Sequence, residues 1–188
     1  DYIDNQEKNA RDIITQDDRV VVIRDKYPKA RVHFLVLCKD KQIHNIYDLT
    51  NDHLKLLQHM HKVALQVMRN EMKPTADPPS SYRIGFHSVP SMDCLHLHVI
   101  STDHQSDAMK NAKHFLSFQP PFFIDSEDMQ RTLLKKGSCG VDKKKSEELL
   151  KGDLCCHRCN ENFKRSFAKL KEHIRTCTKE VSGQLYRL

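Results

Sequence analysis

Cys94-Leu95-His96-Leu97-His98-Val99-Ile100 is the stretch whose reading decides the fold. In an extended strand successive side chains leave on opposite faces. Leu95, Leu97 and Val99 then form an apolar stripe fit for a core, and Cys94, His96 and His98 share the other face. Two imidazoles two residues apart stand about 7 Å from each other, a span that grips one phosphate-sized group. A neutral imidazole can attack phosphorus, and a second, protonated one can stabilise the phosphoryl oxygens or the leaving group. The plainer alternative is a pair of surface histidines on a half-exposed strand, and His96 is expected at a solvent-facing position.

Outward from this strand the pattern alternates between two periods. Tyr82 to His87 reads as a strand forming a hairpin with Leu95–Ser101 through Pro90. Arg19–Ile23 and Val32–Leu37 are β-branched-rich strands joined by a turn over Asp25–Ala30. Thr50-Asn51-Asp52 caps a long helix from His53 to Met72, with Leu54, Leu57, His61, Leu65 and Met68 as its stripe. An amphipathic helix is expected around Ala10–Ile14, a proline-rich loop over Lys73–Ser81, a helix over Ser126–Lys136 after Pro120-Pro121, and a basic connector over Gly137–Lys145. Antiparallel strands with a packed helix define an α+β class. Two domains follow, residues 1–124 carrying the histidines and residues 125–188 holding a basic helix and a finger.

That finger is Cys156-His157-Arg158-Cys159, thirteen intervening residues, then His173-Ile174-Arg175-Thr176-Cys177. Two cysteines on a tight knuckle and two ligands at i and i+4 of a helix can converge on one tetrahedral Zn²⁺. Phe163, Phe167 and Leu170 fall where a small ββα unit keeps its core. Such a unit buries too little surface to fold without metal, so Zn²⁺ is structural. Cys155 competes with Cys156, and the spacing favours Cys156. Arg165, Lys169 and Arg175, on or near the finger helix, are candidate DNA-phosphate contacts.

With 188 residues, of which 38% are hydrophobic and 30% charged, the chain suits one well-buried domain and a small satellite. Its net charge of +6 is concentrated in the last third, which points to a polyanionic partner. Seven cysteines, four of them in the finger, indicate metal binding in a reducing compartment rather than a disulfide framework. No apolar run is long enough to span a bilayer and no signal-peptide layout is present. The start at Asp1, without Met, is what a fragment would have.

His96-Leu97-His98-Val99-Ile100 resembles the alternating histidine motif of the histidine-triad nucleotide hydrolases and transferases. Val20–Leu37, Gly85–Ser101, Lys113–Phe118 and the finger extend the resemblance over nearly the whole chain, to the branch that joins a triad to a zinc finger. It implies a compact antiparallel sheet flanked by helices, with the middle histidine, His96, as nucleophile and His98 stabilising phosphoryl oxygens. Cys94 stands where the family has its first histidine, so the hydrogen-bonded support of that residue is in question.

The resemblance further implies that His87 faces the phosphates as part of the catalytic set, with Ser91 donating to the same group. Asp25 would bind ribose hydroxyls and Lys29 a phosphate or the adenosine edge. Val22, Ile23 and Leu35 would line a purine slot, and Lys113 and His114 would contact DNA phosphate. Tyr2 or residues around Ile13 would wedge the DNA end, and His33 is a weak site candidate.

The implied reaction removes AMP from adenylated nicked or double-stranded DNA ends through a histidine–AMP intermediate, without a catalytic metal, in a nuclear or additionally cytoplasmic monomer. RNA–DNA junctions and 3′-guanylylated ends are further substrates on that branch. Two other readings stand beside it: a hydrolase of small nucleoside phosphoramidates or dinucleotides, and a non-catalytic zinc-finger DNA-binding module. Loss of the finger is expected to spare hydrolysis of small adenylates.

Overall fold

The structure, a computed structural model, describes residues 12–71 and 81–187. Six strands form one antiparallel sheet in the order β1-β2-β3-β5-β4-β6. They are β1 (Ile13–Gln16), β2 (Val20–Arg24), β3 (His33–Cys38), β4 (Tyr82–His87), β5 (His96–Ser101) and β6 (Phe123–Asp125). The helices are α1 (Leu54–Glu71), α2 (Ala112–Leu116), α3 (Ser126–Lys136), α4 (Lys143–Leu149) and α5 (Phe167–Thr176). Among the described residues no helix is long and apolar enough to cross a membrane.

The alternation around β5 holds as read. Leu95, Leu97 and Val99 enter the main core with Val20, Val22, Val36 and Ile84, under α1 and α3. His96 and His98 leave on the opposite face, where the register sets Leu37 across from His96 and both Leu35 and Gly85 across from His98. Gly85 is required there, because a Cβ would stand 2.2 Å from the Ile124 carbonyl oxygen of β6.

Helix α1 runs from Leu54 to Glu71 and buries a broader stripe than expected, which includes Leu57 and Met68 of the expected one. Leu57, Met60, Val63, Ala64, Val67 and Met68 are buried, whereas His61 and Leu65 lie on the flank. A stripe wide enough to cover a sheet spans more than one row of apolar positions, and α3 packing alongside widens it further.

The expected helix over Ala10–Ile14 is not formed where it is described. Ile13 opens β1 and pairs with Ile23, since a free sheet edge offers backbone partners that outweigh weak local propensity. Tyr2, Ala10 and all but the last residue of the loop over Lys73–Ser81 lie outside the described residues.

Helix α3 has the boundaries read from sequence. Asp125 caps it by accepting the Glu127 and Asp128 N–H groups, and Gly137 ends it at φ +70°. The segment after it is only partly a connector. Asp142 accepts the Lys145 N–H at 3.2 Å and starts α4, the side-chain oxygen satisfying a donor that the first turn leaves free.

Residues 125–188 are not a detached unit. Met129 and Leu133 of α3 enter the main core. The finger's own core of Leu154, Cys156, Leu170 and Ile174 is completed by Met109 and Phe115 from the triad side. The chain then returns to the sheet: Tyr186 and Tyr82 exchange both backbone hydrogen bonds at 2.9 Å, and the Tyr186 hydroxyl donates to Asp125 at 3.1 Å.

Candidate functional site

The sheet face away from α1 gathers four imidazoles from three strands: His33 (β3), His87 (β4), His96 and His98 (β5). The His87 and His98 rings lie 4.2 Å apart and those of His96 and His98 5.0 Å apart. Phe118 covers them, with its ring 5.3 Å from His33, 4.7 Å from His87 and 5.4 Å from His98. Arg83, buried on the same sheet face, holds the cap in place by donating to the Phe118 carbonyl at 3.2 Å.

Hydrogen bonds assign the tautomers. His96 Nδ1 lies 2.7 Å from the Cys94 carbonyl, which only accepts, so Nδ1 carries the proton and Nε2 keeps a free lone pair. Cys94 therefore orients His96 through its backbone, and its side chain is not needed for that bond. The Lys29 N–H donates to His33 Nδ1 at 3.2 Å. His33 Nε2–H then donates to His98 Nδ1 at 3.0 Å, which leaves the proton of His98 on Nε2. That Nε2 is buried and has no partner. The strand thus presents a bare acceptor nitrogen on His96 next to a vacant N–H donor on His98. His33, a weak candidate by sequence, sets the second of these.

The structure corrects two expectations here. His96 and His98 are each only 5% exposed, so neither faces solvent. Nor is His98 an imidazolium, because burial and then the neighbouring His87 drive its pKa well below the usual range. Burial lowers His96 as well, opposed by its bond to Cys94, and brings His33 to about 4 and His87 to about 3. All four rings are neutral at pH 7, and the second donor is a neutral N–H.

These shifts predict acid sensitivity. An imidazole that binds protons less readily folded than unfolded contributes stability above the unfolded value of about 6.5, which is lost as pH falls toward the folded value. The urea midpoint should therefore decline from pH 6.5 to 5, before carboxylates titrate, at about 1.4 kcal/mol per unit of depression. Replacing His33 by Asn should flatten that decline. A midpoint constant across this window would contradict the buried neutral cluster.

Other expected residues divide. Asp25 Oδ2 stands 3.5 Å from His33 Nδ1, while Oδ1 accepts the Tyr27 N–H at 2.7 Å in a turn, so Asp25 is both turn-former and site neighbour. Lys29 is half-buried, donates to the Tyr27 carbonyl, and its charge acts on His33, His87, His98 and His114. His114 and Lys113 sit on α2, with His114 accepting the Lys110 N–H. Ser91 is exposed on the β4–β5 loop, and no described contact ties it to the histidines. Ile23 and Leu35 do lie on the site face with Val21 and Leu37. Val22 points into the main core, so it cannot line a purine slot, one position having reversed its face.

The four finger ligands converge as the spacing requires. Their donor atoms all lie within 4.8 Å of one another, with Cys156 Sγ 3.9 Å from Cys177 Sγ and Cys159 Sγ 3.2 Å from His173 Nε2. These are close to the edges of a tetrahedron built on Zn–S distances of about 2.3 Å. Glu161 stands 3.4 Å from His173 Nδ1, a carboxylate that directs Nε2 to the metal. Cys155 is exposed and outside the cluster. Four protein ligands complete the shell, and the zinc is structural.

Of the basic candidates on the finger, Arg165 donates to the Lys151 carbonyl at 2.9 Å and Lys169 is exposed. Arg175 joins Lys171 along a cavity of about 440 Å³ between finger and triad lobe. Arg175 follows Lys169 by six positions, about 120° apart around α5, so they occupy different faces.

Residues 2–114 match the family described as "Scavenger mRNA decapping enzyme C-term binding", and residues 119–180 match the C2HE / C2H2 / C2HC zinc-binding finger. The aprataxin-like protein of Schizosaccharomyces pombe is 31% identical over 186 residues, 92% of this chain and 77% of the relative. The chain belongs to the aprataxin family. Aprataxin of Danio rerio is 44% identical over 163 residues, 87% of this chain and 48% of the relative. The Arabidopsis thaliana transcription factor bHLH140 is 41% identical over 179 residues, 95% of this chain and 19% of the relative. The chain thus spans half or less of these two longer proteins. Among aprataxin-family structures, the crystal structure of aprataxin ortholog Hnt3 in complex with DNA superposes with a TM-score of 0.74 at 29% identity, covering 93% of this chain and 90% of that one. The antiparallel sheet with flanking helices and finger is therefore the histidine-triad fold of that family.

Proposed function

We propose that this chain removes AMP from 5′-adenylated DNA ends by covalent catalysis. The observation that carries the reading is the free Nε2 lone pair of His96 beside the unpartnered Nε2–H of His98. His96 Nε2 attacks the adenylate phosphorus. The bond from that phosphorus to the bridging oxygen breaks, and the DNA leaves with its 5′-phosphate. The His98 N–H, backbone amides and the Lys29 charge stabilise the phosphoryl oxygens. Water then attacks the His96–AMP phosphoramidate, releasing AMP and the imidazole. Dividing one displacement into two is the benefit of a covalent intermediate.

His87 meets the DNA-side phosphate with its unpartnered Nε2, and Ser91, exposed on the β4–β5 loop, donates to the same group. Asp25 holds the ribose. Lys113, His114, Arg165, Lys169 and Arg175 grip the DNA backbone. The related Hnt3 has been captured with DNA and with DNA and guanosine, which supports a DNA substrate; 3′-guanylylated ends and RNA–DNA junctions are further substrates within this proposal. A nuclear location and a monomeric state accompany this reading.

AMP release measured on adenylated nicked DNA, a free dinucleotide and a nucleoside phosphoramidate tests it. Strong preference for DNA is expected. Equal rates on the small substrates would favour a small-nucleotide hydrolase, and no release from any would leave a binding module.

Salt offers an independent check. Each phosphate contact releases condensed counterions, so Lys169→Gln should flatten the log–log salt slope of DNA affinity by about one unit whatever the sequence. Turnover of a short adenylated nucleotide should barely respond to the same salt. Parallel salt curves for both substrates would count against a basic DNA-binding surface.

A further inference from the structure

His157 sits inside the zinc knuckle, between Cys156 and Cys159, yet its hydrogen bond goes to the triad lobe. It is 8% exposed, and its Nε2 lies 2.7 Å from the Thr102 carbonyl oxygen. A carbonyl only accepts, so Nε2 carries the proton and donates. Thr102 directly follows Ser101, the last residue of β5, the strand that bears His96 and His98. Thr102 is gripped from its other side too, its N–H donating to the Ser81 carbonyl at 3.1 Å and its hydroxyl meeting the Ser81 hydroxyl at 2.7 Å. The finger thereby holds one end of the site strand.

A second route runs through rings. His157 packs edge-on against His104, with centroids 4.8 Å apart, and His104 lies 6.4 Å from Phe118. Phe118 is the ring that covers His33, His87 and His98. Close-packed interiors pass displacements along such contacts. Ordinary core filling does not explain the choice of residue. An apolar side chain would occupy the same space, whereas His157 leaves its Nδ1 buried without a partner, which costs stability. What histidine adds is the donor to Thr102.

We propose that His157 is a positioning residue, through which the zinc-bound knuckle holds the end of β5 and the Phe118 cap so that His96 and His98 stay aligned for phosphoryl transfer. This rests on the reading above that those two histidines carry the chemistry. The finger is then part of the catalytic apparatus as well as a grip on DNA.

The test uses the zinc-replete full chain and a 5′-adenylated dinucleotide, a substrate too short to need the finger for affinity. His157→Ala should keep its zinc, lose about tenfold to a hundredfold in kcat, as small misplacements of reacting groups do, and leave KM unchanged. His157→Gln, whose amide N–H can reach Thr102, should recover most of the loss, and His157→Asn, one methylene shorter, should not. Should the alanine variant shed its zinc, the Gln and Asn pair decides alone, equal rates in the two overturning the proposal. Wild-type kcat in His157→Ala would overturn it as well.

Nitrogen-15 imidazole spectra of His96 and His98 keep this separate from the function reading. If the wild-type protein releases no AMP, that reading fails, while displaced His96 and His98 resonances in zinc-loaded His157→Asn still support the positioning role. Unmoved resonances there would overturn it.

Discussion

His96→Ala is expected to abolish AMP release, lowering single-turnover rates by at least about a thousandfold, the scale on which removal of a covalent nucleophile acts. The reason is specific to one atom: Nε2 of His96 is left with its lone pair because Nδ1 donates to the Cys94 carbonyl at 2.7 Å. His98 cannot substitute, since it spends its lone pair accepting from His33 at 3.0 Å. His96 is buried, so the truncation should also cost about 1–3 kcal/mol of stability, and thermal unfolding must be recorded next to the kinetics. Acid quench of the wild-type reaction should trap AMP on His96. Retention of even a tenth of the wild-type rate by a folded His96→Ala protein would rule out the covalent route.

Zinc loss should have an effect of comparable size and wider reach. Cys177→Ser removes one of four converging ligands, and structural zinc contributes about 10–16 kcal/mol to the folding of isolated fingers. The spacing of the ligands suggests a finger whose failure leaves the triad untouched. The shared core argues otherwise, because Met109 and Phe115 pack with Leu154, Leu170 and Ile174. DNA affinity and turnover of a small adenylate should therefore fall together as a chelator strips the metal. Hydrogen exchange should show the 102–118 segment losing protection with the finger. Full small-substrate turnover in metal-free protein would mean that the two lobes are energetically separate.

Much of the site was readable locally. The period of β5 placed His96 and His98 on one face. The intervals in Cys156–Cys159 and His173–Cys177 selected the ligands, and the helix over Ser126–Lys136 after Pro120-Pro121 formed with the bounds expected for it. Each of these is a property of neighbours along the chain, where dihedral preference and side-chain period act directly. Reading failed where a second segment decided the outcome. Ile13 became a strand because the β2 edge was available to it, and α1 widened its buried stripe with Met60, Val63, Ala64 and Val67 to cover the sheet beside α3.

The sequence by itself determined the residues of the chemistry: two histidines at strand spacing, four zinc ligands and a basic finger helix. It could not determine their protonation, since a pKa follows from burial and from partners distant in the chain. The bond that sets the His98 tautomer joins residues 65 positions apart, and the Phe118 cap that dries the cluster arrives from beyond α2. Only the tertiary structure decided that all four imidazoles are neutral and that Val22 turns from the site. It alone brought His157 of the knuckle onto the strand of the triad. Register and burial are non-local, and it is they that make a histidine a nucleophile, a donor or a latch.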